Sequence, residues 1–211
     1  NSTAVVGHGI SNEIAVKNLI KEGVKKEKIH TSGKLIADVI HRFRNDIDNS
    51  NILEKEGLNK KEYIFTELHR PENVDNASNL SNLMKGLELI HEEYEMPVFA
   101  SFHPRTQAAL QKYGIPTPDF MKIVNPMGMF NFENLVKNCF VAVTDSGTIP
   151  ETACIYGVPT VTTRPSTERP ETVSIGTSVL AGNKDGTFTP KTILKKCQES
   201  IEKKAKNPYK T

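Results

Sequence analysis

An α/β fold, with a mostly parallel sheet covered by helices on both faces, is what this sequence of 211 residues predicts. Three observations predict it. Short runs rich in β-branched and aromatic residues alternate with stretches of helical period, the mark of repeated strand–helix–strand units. The run "FVAVTD" at 140–145 is apolar enough for a strand buried on both faces. In "CIYGVPTV", Gly157 stops a helical stretch just before the next strand begins.

The elements run in order. A strand over 3–7 and a helix over 11–22 open the chain, and a strand over 28–32 and a helix over 34–44 come next. Residues 45–61 are polar and charged without a clear period and read as a connection. The strand over 63–68 precedes the clearest helix, 76–94. There Leu80, Leu83, Met84, Leu87 and Ile90 recur at three- and four-residue steps behind Asn76, a suitable N-cap. Strands over 97–103, 122–125 and 140–145 alternate with helices over 106–112 and 130–137. The helix over 149–156, strands over 159–163 and 178–180, a helix start capped by Thr167, and a helix over 191–204 complete the chain.

Composition sets limits. With 37% hydrophobic and 25% charged residues the chain suits a soluble globular protein of one or two domains. A net charge of +2 is too near neutral for a nucleic-acid or membrane surface built on bulk charge. Lys195, Lys196, Lys203, Lys204 and Lys206 mix with glutamates at helical spacing, as on a solvated helix face. No apolar run approaches the ~18 residues that span a bilayer, and no basic-then-apolar leader is visible. Cys139, Cys154 and Cys197 form no CxxC pair and no metal spacing with histidine. They fit reduced, buried thiols, so a cytoplasmic setting without a metal is expected. The chain begins with Asn1, which fits a piece of something longer.

In parallel sheets ligands sit outside the carboxyl ends of the strands, so the residues just past each strand matter most. After 63–68 comes "HRPENVDN": His69 and Arg70 could both reach a phosphate, guanidinium offering paired donors. The alternative is a turn in which Pro71 starts a helix and His69 caps it. "FHPRTQ" delivers His103 and Arg105 to a second strand end. In "PMGMFNFENL", Phe130 and Phe132 surround a helix start, where one could pack on a flat base and either could be core. After 140–145, Ser146, Gly147 and Thr148 present backbone N–H groups at a helix start, an anion site by geometry and dipole. Pro150 is tolerated there because it falls in the first turn. In "RPSTERPETVSIG", Arg169 could reach the anion at Ser146 or form a surface ion pair.

A nicotinamide fingerprint is not expected. "TAVVGHGISNEIAVKNL" offers GxG at Gly7 and Gly9, but Asn12 stands where the third glycine belongs.

Taken together, "HRPENVDN", "FHPRTQ", "TDSGTIPETACIYGVPTVTTR" and "STERPETVSIGTSVLAGN" resemble the non-hydrolysing UDP-N-acetylglucosamine 2-epimerases. The match runs in order from about Ala15, in "AVKNLIKEGVKKEKIHTSG", to Asn183. The resemblance implies one Rossmann-like half of a GT-B-type two-domain fold, the C-terminal, nucleotide-binding half. Residues 1–24 then read as a crossover from a missing N-terminal domain, and 25–211 as the UDP-sugar-binding domain. The implied reaction converts UDP-GlcNAc to UDP-ManNAc by elimination of UDP to a glycal and its re-addition, with no external cofactor. The family's acid and base carboxylates come mainly from the absent half, so this piece alone is expected to be inactive.

The same resemblance assigns His69 to the active site near the phosphates. It assigns Ser146 and Gly147, with Thr148, to the diphosphate turn and Arg169 to the diphosphate itself. Phe132 falls beside the uracil and the backbone near Met127 on the base. Two positions depart from the family. Thr148 stands where DSGG is common, and relatives acting on deoxy sugars often show DSGT. Thr152 comes after Glu151 where a second glutamate usually contacts the ribose; a hydroxyl cannot grip two hydroxyls as a carboxylate can. Ribose contact would then be weakened or pass to Glu151, and a glutamate restored at 152 would tighten UDP. The implied partners are the UDP-sugar, the missing domain and a second copy in a homodimer, with no nucleic acid and no membrane. Three other readings compete: a 2-epimerase for a deoxy UDP-N-acetyl sugar, a non-catalytic UDP-sugar-binding module, and a glycosyltransferase of the same architecture.

Overall fold

The computed structural model describes residues 8–10, 13–31 and 34–203. Within them β1 (His8–Ile10) and β2 (Ile29–Thr31) form a separate parallel pair joined through α1 (Glu13–Lys21). The strand expected over 3–7 lies outside the described residues. Gly9 itself is in β1, paired with His30, so that glycine belongs to extended chain rather than to a phosphate loop.

Next come α2 (Leu35–Arg42), α3 (Arg44–Asp48) and α4 (Ile52–Glu56). The last two correct the expected connection over 45–61. Each is held by one apolar anchor, Ile47 and Ile52, both almost fully buried. Single anchors on five-residue helices are too sparse to show a 3.6-residue period.

The main sheet is built from β3 (Ile64–Glu67), β4 (Val98–Ser101), β5 (Met121–Val124), β6 (Val141–Thr144), β7 (Thr160–Thr162) and β8 (Ser178–Leu180). All five pairings are parallel and the order is β5-β4-β3-β6-β7-β8. The connecting helices are α5 (Pro71–Val74), α6 (Ala77–Tyr94), α7 (Pro104–Lys112), α8 (Met129–Asn138), α9 (Ile149–Tyr156), α10 (Pro170–Ser174) and α11 (Pro190–Glu202). The twofold side-chain period of the strands feeds two cores. Ile64, Val98, Val141 and Val143 pack with α6, α7 and α11 on one face. Phe65, Phe99 and Ala142 pack with α4, α8 and α9 on the other.

Local signals agree with these layers. Asn76 caps α6, its side chain accepting the Asn79 N–H at 3.0 Å. Where α6 meets α11, a methyl at Gly86 would fall 2.7 Å from Ile193 Cδ1, so glycine there permits the close approach. Among the described residues no helix is long and apolar enough to cross a membrane.

The strand order fixes where a ligand can sit. From β3 the chain winds outward through β4 and β5; from β6 it winds the other way through β7 and β8. The reversal lies between β3 and β6, where Glu67 pairs with Thr144, and a crevice opens at that switch point.

Candidate functional site

Two loops leave the sheet at the switch point, 68–70 after β3 and 145–148 after β6, and one carboxylate ties them together. Asp145 is fully buried. Its Oδ1 accepts the His69 N–H at 3.0 Å, and its Oδ2 accepts the Arg70 N–H and the Asn73 amide, each at 3.1 Å. Burial pushes the Asp145 carboxyl up, and these donors, with the His69 charge, pull against it. Arg70 is the N-cap residue of α5, with Pro71 in its first turn, so "HRPEN" is a helix start braced from across the crevice. Asp145 was legible only as the first letter of the turn; its bracing role depends on residues 75 and 76 positions away.

The anion turn is partly closed on itself, which corrects the expectation of three free donors. The Ser146 N–H goes to Thr144 Oγ1 at 2.9 Å and the Thr148 N–H to Ser146 Oγ at 3.3 Å. Small hydroxyl residues compete for backbone donors in this way at helix starts. Among the described residues, the N–H groups of Gly147 and Ile149 have no protein acceptor, and they are what an anion would meet. Thr148, the N-cap of α9, is exposed, while Ser146 is nearly buried. A methyl at Gly147 would stand 3.7 Å from Glu168 Oε2 and 3.9 Å from an Arg70 terminal nitrogen, so both charges flank the turn. Arg164 grips Glu168 through both terminal nitrogens, at 2.9 and 2.7 Å, and holds its carboxyl down at about 2.

Beside the turn lies a cavity of about 410 Å³ whose walls include Glu67, His69, Met127, Phe132, Ser146 and Thr148. His69 Nδ1 sits 2.6 Å from Glu67 Oε1 and 3.5 Å from Asp145 Oδ1. The bond to Glu67 raises the imidazole pKa, burial opposes it, and Asp145 adds to the rise. Sequence reasoning missed Glu67. A signal existed: residues two apart at a strand end share a face. Phe132 meets Phe65 edge-on at 5.4 Å, which is core packing, and also lines the cavity. Phe130 turns away to Phe43, with ring centroids 5.6 Å apart. His103 caps α7, accepting the Arg105 N–H at 3.2 Å, and its side also lines the cavity. Arg105 pairs with Asp75 outside it.

The arginine and the two residues expected at the ribose are placed differently from the expectation. Arg169 is the N-cap residue of α10, displacing Thr167, whose hydroxyl accepts the Arg169 N–H at 3.1 Å. The Arg169 guanidinium does not span to Ser146; Nε is paired with Glu151 Oε1 and Nη1 donates to the Glu168 carbonyl at 3.2 Å. Glu151 is buried in the first turn of α9, and Lys34 Nζ reaches the same oxygen. Lys34 also donates to Glu171 Oε1 at 3.2 Å. The sequence offered no sign of Lys34, which lies 137 residues from Glu171. Thr152 is fully buried, with Oγ1 3.4 Å from the Ile149 carbonyl and facing the buried Glu133. Neither Glu151 nor Thr152 is in the wall of the cavity.

Glu67, His69 and Asp145 bring ligand atoms within 4.8 Å of one another. Both Asp145 oxygens already accept N–H donors, so the group fits a hydrogen-bonded cluster better than a cation cage.

A wholly parallel sheet wound in both directions, with a helix start and a histidine at the switch point, defines a Rossmann-like α/β domain. The family description "UDP-N-acetylglucosamine 2-epimerase" matches residues 6–211, and the chain belongs to that family. It is 36% identical over 206 residues to a UDP-N-acetylglucosamine 2-epimerase of Methanococcus maripaludis, a match covering 92% of this chain and 54% of the relative. Against the enzyme of the same name from Methanocaldococcus jannaschii it is 34% identical, covering 93% and 55%. The crystal structure of the latter organism's UDP-GlcNAc 2-epimerase with UDP-GlcNAc and UDP superposes with a TM-score of 0.86 at 32% identity, covering 98% of this chain and 57% of that one. The chain therefore spans about half the length of the relatives it matches, and its fold is one half of their GT-B-type architecture.

Proposed function

We propose that the chain is the UDP-binding, C-terminal domain of a UDP-GlcNAc 2-epimerase. The observation that carries this is the switch-point crevice, where Asp145 locks the two loops and leaves donors and a cavity side by side. The Gly147 and Ile149 N–H groups with Ser146 seat the diphosphate, and Arg169 moves onto it. Met127 and Phe132 flank the base. His69, a cation when protonated, faces the phosphates, where departure of UDP develops negative charge that preformed donors stabilise. The whole enzyme eliminates UDP from UDP-GlcNAc and re-adds it to give UDP-ManNAc. The acid and base carboxylates come from a preceding domain, residues 1–24 being the crossover from it and 25–211 the UDP-sugar domain. A cytoplasmic enzyme acting as a homodimer completes this reading.

A deoxy UDP-N-acetyl sugar is the second reading, favoured by Thr148, whose exposed side chain lines the cavity. Calorimetry of the chain with UDP tests the binding function, and Arg169→Ala should weaken it markedly; unchanged affinity removes Arg169 from the site. The full-length enzyme assayed on both sugars decides the substrate, while this chain alone should turn over neither.

A further inference from the structure

Lys34, Glu151, Arg169 and Glu171 form a charge-balanced group where the start of α2 meets α9 and α10. Glu151 Oε1 is shared by the two cations, and Glu171 supports Lys34 from the far side at 3.2 Å. The partners differ in burial. The side chains of Lys34 and Glu151 are 9% and 5% exposed, whereas that of Arg169 is 37% exposed. Of the two cations on Glu151, Arg169 is the one with room to leave. Glu151 stands in the first turn of α9, the helix that starts just after the Ser146–Gly147 turn.

An anion at that turn competes with Glu151 for Arg169. If Glu151 had no other cation, releasing Arg169 would strand a buried carboxylate, an expensive state. Lys34 lowers that penalty, because it is already in contact with the same oxygen even while it serves Glu171. We propose that Lys34 is a positioning residue for the ligand arginine: it keeps Glu151 paired with a cation while Arg169 transfers to a diphosphate at Ser146–Gly147. This rests on the proposed role of Arg169 at the diphosphate. It also makes the start of α2, remote in sequence, part of the ligand response.

Calorimetry with UDP as the probe separates the possibilities. Lys34→Met should weaken UDP about tenfold or more, since Glu151 then holds Arg169 alone. In an Arg169→Met background the same change should cost nothing further, because Lys34 acts only through Arg169. Lys34→Arg should recover affinity, and so should Lys34→Met combined with Glu151→Gln, where Glu151 no longer competes for Arg169 and the remaining charges, Arg169 and Glu171, balance. An equal loss in the Arg169→Met background overturns the proposal, as does failure of Glu151→Gln to restore binding. Arg169→Met binding UDP like the wild type would instead remove the Arg169 reading itself. Should the Lys34→Met chain not fold, the Lys34→Met/Glu151→Gln chain, balanced inside, carries the test: affinity near wild type supports the proposal and a tenfold loss overturns it.

Discussion

The Glu67 carboxylate holds His69 Nδ1 at 2.6 Å, and both side chains face the cavity beside the anion turn. With Nδ1 engaged, Nε2 is the nitrogen available to a ligand. The charged groups around the ring are Glu67 and Asp145, which favour the imidazolium, and Arg70, which opposes it; the hydrogen bond to Glu67 is the largest influence. Because the folded pKa is raised, the stability it contributes is full below the unfolded value. It is lost as pH rises through the folded one. In an NMR titration of the ring, Glu67→Gln should lower the His69 midpoint. A midpoint that stays in place would mean that Glu67 does not set the charge of His69.

Asp145 is the second testable element. Asp145→Ala would strand the His69 and Arg70 N–H groups and the Asn73 amide, at about 1–3 kcal/mol for each buried donor left unsatisfied. Urea unfolding should show a loss of roughly 3 kcal/mol or more, and UDP binding should fall with it. Wild-type stability in this variant would show that the brace contributes little.

How far the sequence could be read depends on the range of the interaction. The parallel sheet, the Asn76 cap and the α9 start were legible because period, capping and glycine placement act within a few residues. The order of strands, and hence the switch point between "HRPEN" and "DSGT", was not, since nothing local says that β3 pairs with β6. The turn was legible as a helix start presenting backbone N–H groups, but not that Thr144 and Ser146 would occupy two of them. The group around Glu151 was hidden for the same reason as the pairing of β3 and β6. Arg169 and Glu151 could be named, yet Lys34 comes from a distant segment whose composition gives no hint of burial.

Gly182 offers a structural probe of the loop that carries Arg169. A methyl there would overlap the Arg164 carbonyl carbon and fall 2.5 Å from Pro165 N, so the backbone of 164–165 would have to move. That segment leads into Glu168 and Arg169. Gly182→Ala should therefore lower thermal stability by about 1–3 kcal/mol, as overpacking does, and weaken UDP more than a comparable change at Gly86. Equal UDP affinity in the two variants would show that the loop tolerates the shift.

Glu133 gives the fold a pH dependence. Burial raises its carboxyl from 4.5 to about 7, with Tyr156 and Thr152 pulling in the other direction. The folded state therefore holds a proton that the unfolded state has lost. The stability this contributes is full below 4.5 and falls as pH rises through 7. A shift of this size corresponds to on the order of 3 kcal/mol. Chemical denaturation of Glu133→Gln between pH 5 and pH 8 should give a flatter profile than the wild type, and parallel profiles would remove Glu133 as the cause.

The same cluster reverses the expectation for Thr152. By resemblance alone, Thr152→Glu should restore a ribose contact and tighten UDP. The structure gives the opposite sign. Thr152 is fully buried, and it faces Glu133 across the α8–α9 contact. A carboxylate there would lose its hydration beside a second carboxyl, and the two could not both ionise without repulsion. Thr152→Glu is expected to cost about 3 kcal/mol or more without improving UDP affinity. Adding Glu133→Leu should recover much of that stability, because one acid then occupies the space that Thr152 and Glu133 share. Calorimetry and urea unfolding of the single and double variants test both halves of the argument. A single variant that is as stable as the wild type and binds UDP more tightly would show that position 152 reaches the ligand after all.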